Sequence, residues 1–319
     1  MASFSKAYLN QLLTNISIAY MTNATDFIAS KVAPFLKVEK DTGEIFNYGK
    51  QALRITEDAR AIGGAYNKVR FDVQKNTHYQ LKDYWYIGEV YEEDVDNADQ
   101  PLSPESDETE MLTNKLLLSM EKRLAGGITT STITNNVTLT STAKWSDYSG
   151  VSNPFGNIAT AIDTIHKKTG KIANSMVLSW EAMIALKNHP QVIARFKNVP
   201  VITDEMVRDA FGSMFGIKNV YIGSARENAS NSDVDAANLS LIWNNMCLVY
   251  YSEETPRQRS TSFAKTYSKR DGVEVVKLPQ DKLATEALER RVYSMIRVSS
   301  KYDQVIVDQT CAYLINTPA

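Results

Sequence analysis

His78, His166 and His189 are the chain's only imidazoles, and none has a second His or Cys at metal-ligand spacing. His166 falls on the polar side of a helix opened by Asn153-Pro154. His189 sits in a helix-ending Asn-His-Pro, so both read as surface or capping groups. A Ser or Cys nucleophile needs a base beside it, and no local motif offers one; a Gly-x-Ser-x-Gly elbow is absent. The stretch GIKNVYIGSAREN (216–228) has two glycines, but they bracket a strand where a phosphate loop would open a helix. The acidic run from Glu92 to Glu110 lacks the alternating spacing of a calcium loop. Its charges suit the start of a helix, where the macrodipole favours anions. These residues predict no catalytic centre, no metal and no cofactor.

The bulk chemistry narrows the classes further. The chain has 319 residues, enough for two domains or one domain with long extensions. Lys plus Arg number 35 and Asp plus Glu 37, a net charge of −2. Short basic stretches (Lys167-Lys168, Arg257 to Arg259, Lys269-Arg270) do not make a basic domain. Specific nucleic-acid recognition is therefore disfavoured, and only weak, non-specific contact fits. Cys247 and Cys311 lie in apolar runs and read as buried hydrophobes; two cysteines exclude a disulfide framework, which points to a reducing, cytoplasmic setting. The first 35 residues lack a basic stretch followed by an unbroken apolar core, so no signal peptide is expected. No window is long and apolar enough for a membrane span, so no membrane partner is expected. The Asn-x-Ser/Thr triplets at Asn15, Asn23 and Asn136 read as chance matches.

The elements that would carry any function are clearer. Residues 1–38 read as an arm with a short amphipathic stretch from Tyr8 to Leu13. Residues 39–90 are β-rich: Phe46 and Tyr48, then Val69, Phe71 and Val73, then Trp85 and Ile87 alternate with polar neighbours. Between the first two runs lies a polar tip with Gly63-Gly64. A lone hairpin of this kind is marginal in water and needs something to pack on. Residues 103–126 predict a long helix, with Ser103 as cap, Pro104 in the first turn, and Lys122 and Arg123 suited to the negative end of the dipole. Leu117, Met120 and Leu124 form a stripe with Leu112 and Leu116 beside it, and Gly126-Gly127 stops the helix. At ~1.5 Å per residue this is a rod about 35 Å long.

A Thr/Ser/Asn-rich connector follows, with a boundary near Gly150. Residues 153–252 alternate helix and strand. Caps are expected at Asn153, Ser179 and Thr203, strands at SMVL and KNVYIG, and a hairpin between LSLIW and MCLVYY around Asn244-Asn245. Residues 263–319 return to strands: VEVVKL, then ERRVYSMIRVS with Val292, Ile296 and Val298 on one face, then QVIVDQTCAYLI as the last.

In that order the segments resemble a known family. LTNISIAYMTNATDFIASKVAPFLKVEKDTGEIFNYGK (13–50), YEEDVDNADQPLSPESDETEMLTNKLLLSMEKRLA (91–125), and TYSKRDGVEVV through YDQVIVDQTCAYLI are similar to the arm, spine-helix approach and closing strands of tailed-phage major capsid proteins. The resemblance implies an α+β chain with the Hong Kong 97-type coat-protein fold. Residues 1–38 would be the N-arm and 39–90 the extended β-hairpin loop. Residues 91–150 would form the peripheral domain with spine helix 103–126, 151–262 the α/β axial domain, and 263–319 peripheral strands returning to the axial domain. It implies self-assembly into hexamers and pentamers of an icosahedral head in the virion, built in the host bacterial cytoplasm around double-stranded DNA. A separate scaffolding protein, a portal and a decoration protein are the partners implied. The inter-subunit contacts would fall on the loop at Phe46, Tyr48, Lys50, Arg54, Arg60, Tyr66, Phe71, Val73 and Trp85. The spine would pack through Leu112, Leu116, Met120 and Leu124. Burying Phe71, Val73 and Trp85 on a neighbour would contribute roughly 1.5–3 kcal/mol each before ordering costs. Some relatives cross-link a loop Lys to a neighbour's Asn. Lys50, Lys68 and Lys75 lie in or near this loop, but no pairing is identifiable and no cross-link is expected. Two other readings share the pattern: an encapsulin-type nanocompartment shell of the same fold, and an α/β enzyme with the hairpin as a lid, against which the scattered histidines argue.

Overall fold

The structure, a computed structural model, describes residues 8–9, 12–17, 27–48, 55, 73–98, 103–196, 202–228, 239–270, 272–278 and 293–319. The chain opens with strand β1 (Tyr8–Leu9), helix α1 (12–17), helix α2 (Ala29–Val32) and strand β2 (Phe35–Lys37). The hairpin strands β3 (Thr42–Tyr48) and β4 (Val73–Gln80) follow, then β5 (Lys82–Tyr91), α3 (Glu92–Asp96) and the long helix α4 (Pro104–Gly127). The middle of the chain forms β6 (Asn136–Thr138), α5 (Pro154–Thr169), β7 (Ser175–Ser179), α6 (Trp180–Lys187), α7 (Pro190–Ile193) and α8 (Asp204–Phe215). It continues through β8 (Asn219–Gly223), β9 (Arg226–Glu227), β10 (Ser240–Leu241) and β11 (Met246–Tyr250). Strands β12 (Ala264–Ser268), β13 (Glu274–Leu278), β14 (Tyr293–Ile306) and β15 (Ala312–Asn316) complete it.

Two sheets organise these elements. The first is built around β14, which pairs with β5 along one edge (Tyr293↔Tyr91 to Tyr302↔Lys82). Along its other edge it pairs with β13 and then β12, all antiparallel. β1 extends β13, and β2 joins β12 in parallel. Side chains alternate across a strand, so Ile296, Val298 and Tyr302 of β14 point inward while Arg297 and Lys301 alternate with them. On that inner face α4 lies along the sheet. Leu112 and Leu116 join Leu13 of α1, Val90, Val273, Val275, Ile296 and Val298 in one core. Each buried Leu, Ile or Val contributes about 1.5–3 kcal/mol relative to exposure.

The second sheet has the order β6-β15-β11-β7-β8, with β15–β6 and β7–β8 parallel and the central pairs antiparallel. Both faces of its centre are covered, so β7, β11 and β15 are largely apolar. Met176, Leu178, Cys247, Val249 and Ile315 face one core under α5, α6 and α8. Val177, Leu248, Tyr250 and Leu314 face a second core shared with Met120, Leu124, α2, Phe263 and Tyr302. The two ends of α4 thus serve different cores, its first half beneath the first sheet and its second half at the junction of both sheets.

The local signals were mostly realised. Asn153, Ser179 and Thr203 cap α5, α6 and α8 by accepting the N–H of Gly156, Ala182 and Met206. Gly170 and Gly216 close α5 and α8 in the left-handed conformation that glycine adopts without penalty. Four expectations fail. Ser103 does not cap α4, because its Oγ accepts from the Ser106 hydroxyl. Tyr8 to Leu13 is not one amphipathic stretch: Tyr8 and Leu9 add to the edge of β13 before α1 begins. LSLIW and MCLVYY do not form a hairpin, because β10 pairs with β9 while β11 inserts between β7 and β15. QVIVDQTCAYLI is not one strand. Asp308 accepts the Thr310 N–H and turns the chain through 309–311, so its first half ends β14 and its second half becomes β15 of the other sheet.

Candidate assembly site: hairpin base, spine and arm junction

Strands β3 and β4 pair from Thr42↔Gln80 to Tyr48↔Val73, with a register shift between Ile45 and Asn47, and form a two-stranded sheet of their own. Their base is anchored on the same chain. Ile45 and Tyr79 are buried with Val38, Leu81, Tyr267 and Val307 in a small separate core. The Tyr79 and Tyr267 rings stack 4.6 Å apart and nearly parallel. Gly43 is required there, since a Cβ at that position would lie 2.5 Å from the Tyr79 hydroxyl oxygen and 2.7 Å from ring carbons. Polar contacts ring this core: the Gln80 N–H donates to Asp303 Oδ2 at 2.9 Å and the Leu81 N–H to the Asp41 carbonyl at 2.8 Å. Lys269 and Lys301 reach the Asp41 carboxylate at 2.7 and 3.1 Å. Those lysines hold the Asp41 carboxyl below the usual carboxylate range. Burial raises the Tyr79 and Tyr267 phenols.

The residues expected to meet a neighbour are placed unevenly. Lys50, Arg54, Arg60, Tyr66 and Phe71 lie outside the described residues, as do Val69, Lys68 and Gly63-Gly64. Phe46, Tyr48 and Val73 lie on β3 and β4, and their side chains fall outside what is described. Trp85 does not project with the hairpin. It sits on β5, opposite Ser299 of β14, within the first sheet. There it alternates with the buried side of the strand and stays 56% exposed, beside Ile87 at 40%. Leu112, Leu116, Met120 and Leu124 are all buried on the spine, divided two and two between the cores already described.

Lys122 and Arg123, one turn before the end of α4, find specific partners. Lys122 pairs with Glu227 of β9 at 2.6 Å. The Arg123 guanidinium lies 3.6 Å from the Tyr84 ring centroid and donates to the Tyr302 hydroxyl. Burial, only partly offset by Arg123, pushes the Tyr302 phenol up to about 12. Glu121, on the inward side of the same helix, is fully buried. It accepts the N–H of Ile28 at 3.1 Å, the N–H of Ala29 at 2.8 Å, and the indole N–H of Trp243. Burial raises its carboxyl, opposed by those three donors and by the charge of Lys31.

The histidines do not converge. His189 is buried as the cap of α7, accepting the Gln191 N–H on Nδ1, and burial lowers its pKa. His166 and His78 are exposed on α5 and β4. Among the described residues no cluster of three or more His, Cys, Asp or Glu could hold a metal ion, and no helix is long and apolar enough to cross a membrane.

Residues 130–273 match the family model described as phage major capsid protein E. The chain is 28% identical over 273 residues to the major capsid protein of Burkholderia phage BcepMu, covering 81% of each chain. Among solved structures, a phage-related protein of Bordetella bronchiseptica superposes with a TM-score of 0.77 at 19% identity, over 98% of this chain and 99% of that one. The capsid protein of cyanophage P-SCSP1u gives 0.55 at 10% identity, over 89% and 86%. The fold is therefore the mixed α+β fold of the Hong Kong 97-type coat proteins. The family model, the curated relative and the shared fold together support the reading of this chain as a phage major capsid protein with a structural role in the capsid shell. That places it with phage heads ahead of nanocompartment shells.

Proposed function

We propose that copies of this chain join as hexamers and pentamers into an icosahedral shell around double-stranded DNA, with the hairpin beyond its base lying on a neighbouring subunit. The subunit acts by packing and carries out no catalysis. The observation that supports this is the two-stranded sheet β3–β4, which joins neither main sheet and whose described side chains pack in a small core at its base. A two-stranded sheet is marginal by itself in water, and another copy supplies the missing surface. The contact would use Phe46, Tyr48, Lys50, Arg54, Arg60, Tyr66, Phe71 and Val73 of the hairpin, with Trp85 on the peripheral sheet. Residues 1–38 act as the arm, 91–150 with 263–319 as the peripheral domain, and 151–262 as the axial domain. The near-neutral charge of −2 limits repulsion between many copies and keeps DNA contact weak and non-specific. Assembly takes place in the host bacterial cytoplasm with a separate scaffolding protein, a portal and a decoration protein. Deleting residues 50–66 tests the reading. The expected product is a folded, soluble subunit that builds no shells; normal shells under the electron microscope would overturn the role of the hairpin.

A further inference from the structure

Glu121 is the one ionisable side chain on the buried face of α4, between Leu117, Met120 and Leu124, all buried. A carboxylate removed from water is costly unless hydrogen bonds replace its hydration. Here the replacements come from two other parts of the fold. The N–H groups of Ile28 and Ala29 belong to the start of α2, in the N-terminal segment. The Trp243 indole belongs to the lobe that holds β11, and its ring is fixed in place against Gly223, where an added Cβ would come within 2.6 Å of it. Around this point Ile28, Ala29, Val32 and Ala33 pack on Met120, Leu124 and Ala125. Residues 28–33 thus meet the second half of the spine through one apolar patch and one buried carboxylate before the chain continues into β2, while α1 meets its first half through Leu13 and Ser17.

We infer that Glu121 is a latch: it fixes residues 28–29 of the N-terminal segment to the spine helix, between that segment's other anchors at α1 and β2. The two sheets keep their own cores without it, since β7, β11 and β15 are covered on their far face by α5, α6 and α8. Loss of the carboxylate therefore loosens residues 27–33 and leaves the lobe intact. Burial raises the Glu121 carboxyl even with three donors aimed at it, so the latched arrangement gives up hydration that a released one would regain. The latch belongs to the single subunit and does not depend on how shells assemble.

The test is hydrogen exchange followed by mass spectrometry on the unassembled full chain. Glu121→Gln keeps the shape of the side chain but sets an amide N–H against backbone donors. The expected result is exchange at least tenfold faster over residues 27–33, with wild-type protection in β7, β11 and β15. Trp243→Phe removes only the indole donor and is expected to raise exchange at the same residues by a smaller factor. Unchanged protection over 27–33 in folded Glu121→Gln, or loosening that spreads through β7, β11 and β15, overturns the latch. If Glu121→Gln does not fold, Trp243→Phe decides: faster exchange confined to 27–33 supports the latch, and any other pattern refutes it.

Discussion

Replacing Tyr79 by alanine strips the base of the hairpin of its largest side chain. Tyr79 is only 3% exposed and stacks on Tyr267. Burying a large apolar side chain contributes about 1.5–3 kcal/mol, and a stacked aromatic pair roughly 0.5–1.5 kcal/mol more. The docked hairpin base should therefore weaken by about 2–4 kcal/mol. At 1.4 kcal/mol per tenfold, the undocked fraction rises by roughly 30- to 700-fold. What remains is Ile45 and Leu81 in a depleted core and the ion pairs of Asp41, half-exposed contacts that hold little by themselves. Because this core is separate from the three larger ones, the damage should stay local. Hydrogen exchange on the unassembled subunit should show β3 and β4 losing protection while β11 and β14 keep theirs. The guanidinium midpoint of the whole chain should shift little. A large fall in that midpoint with no selective loss in β3 and β4 would refute the separate-core argument, since the base would then be part of the main fold.

Two further outcomes follow from buried titratable groups. Lys265 is fully buried, donates to the carbonyls of Arg257 and Ser260, and is pushed by burial from 10.5 down to about 8, with Glu253 opposing the shift. Between about 8 and 10.5 the unfolded chain binds more protons than the folded one, so this group adds stability as pH rises through that window. Denaturant unfolding at pH 7.5, 8.5 and 9.5 should show a wild-type minus Lys265→Met difference that moves in favour of wild type as pH increases; a flat difference would discard the argument. Cys247 and Cys311 are buried and burial raises both thiols, so iodoacetamide at pH 8 should label neither in the native subunit and both after unfolding. Rapid native labelling of either would contradict their placement.

What could be read from the residues was what the chain encodes locally. Helix α4 followed from Pro104 and the stripe through Leu112, Leu116, Met120 and Leu124, and three capping residues acted as their types demand. The failures are of partner choice. Nothing near Asn244-Asn245 reveals that β11 prefers β7 and β15, or that the Asn245 side chain bonds Ala319. The hairpin base was missed for the same reason, since Gln80 and Asp303 are 223 residues apart, and Tyr79 and Tyr267 are comparably distant. Trp85 alternates correctly for a strand, but alternation does not say which sheet the strand joins. Glu121 did leave a trace, a lone charge on an apolar stripe. Its donors at Ile28, Ala29 and Trp243 could not be inferred from that trace.

The run from β14 through residues 309–311 into β15 occupies interior positions in both sheets, between β5 and its neighbours in one and between β6 and β11 in the other. Synthesis proceeds from the N-terminus, so the strands that close either layer emerge after everything they must unite. A growing polypeptide on the ribosome therefore cannot complete either sheet until these strands have emerged.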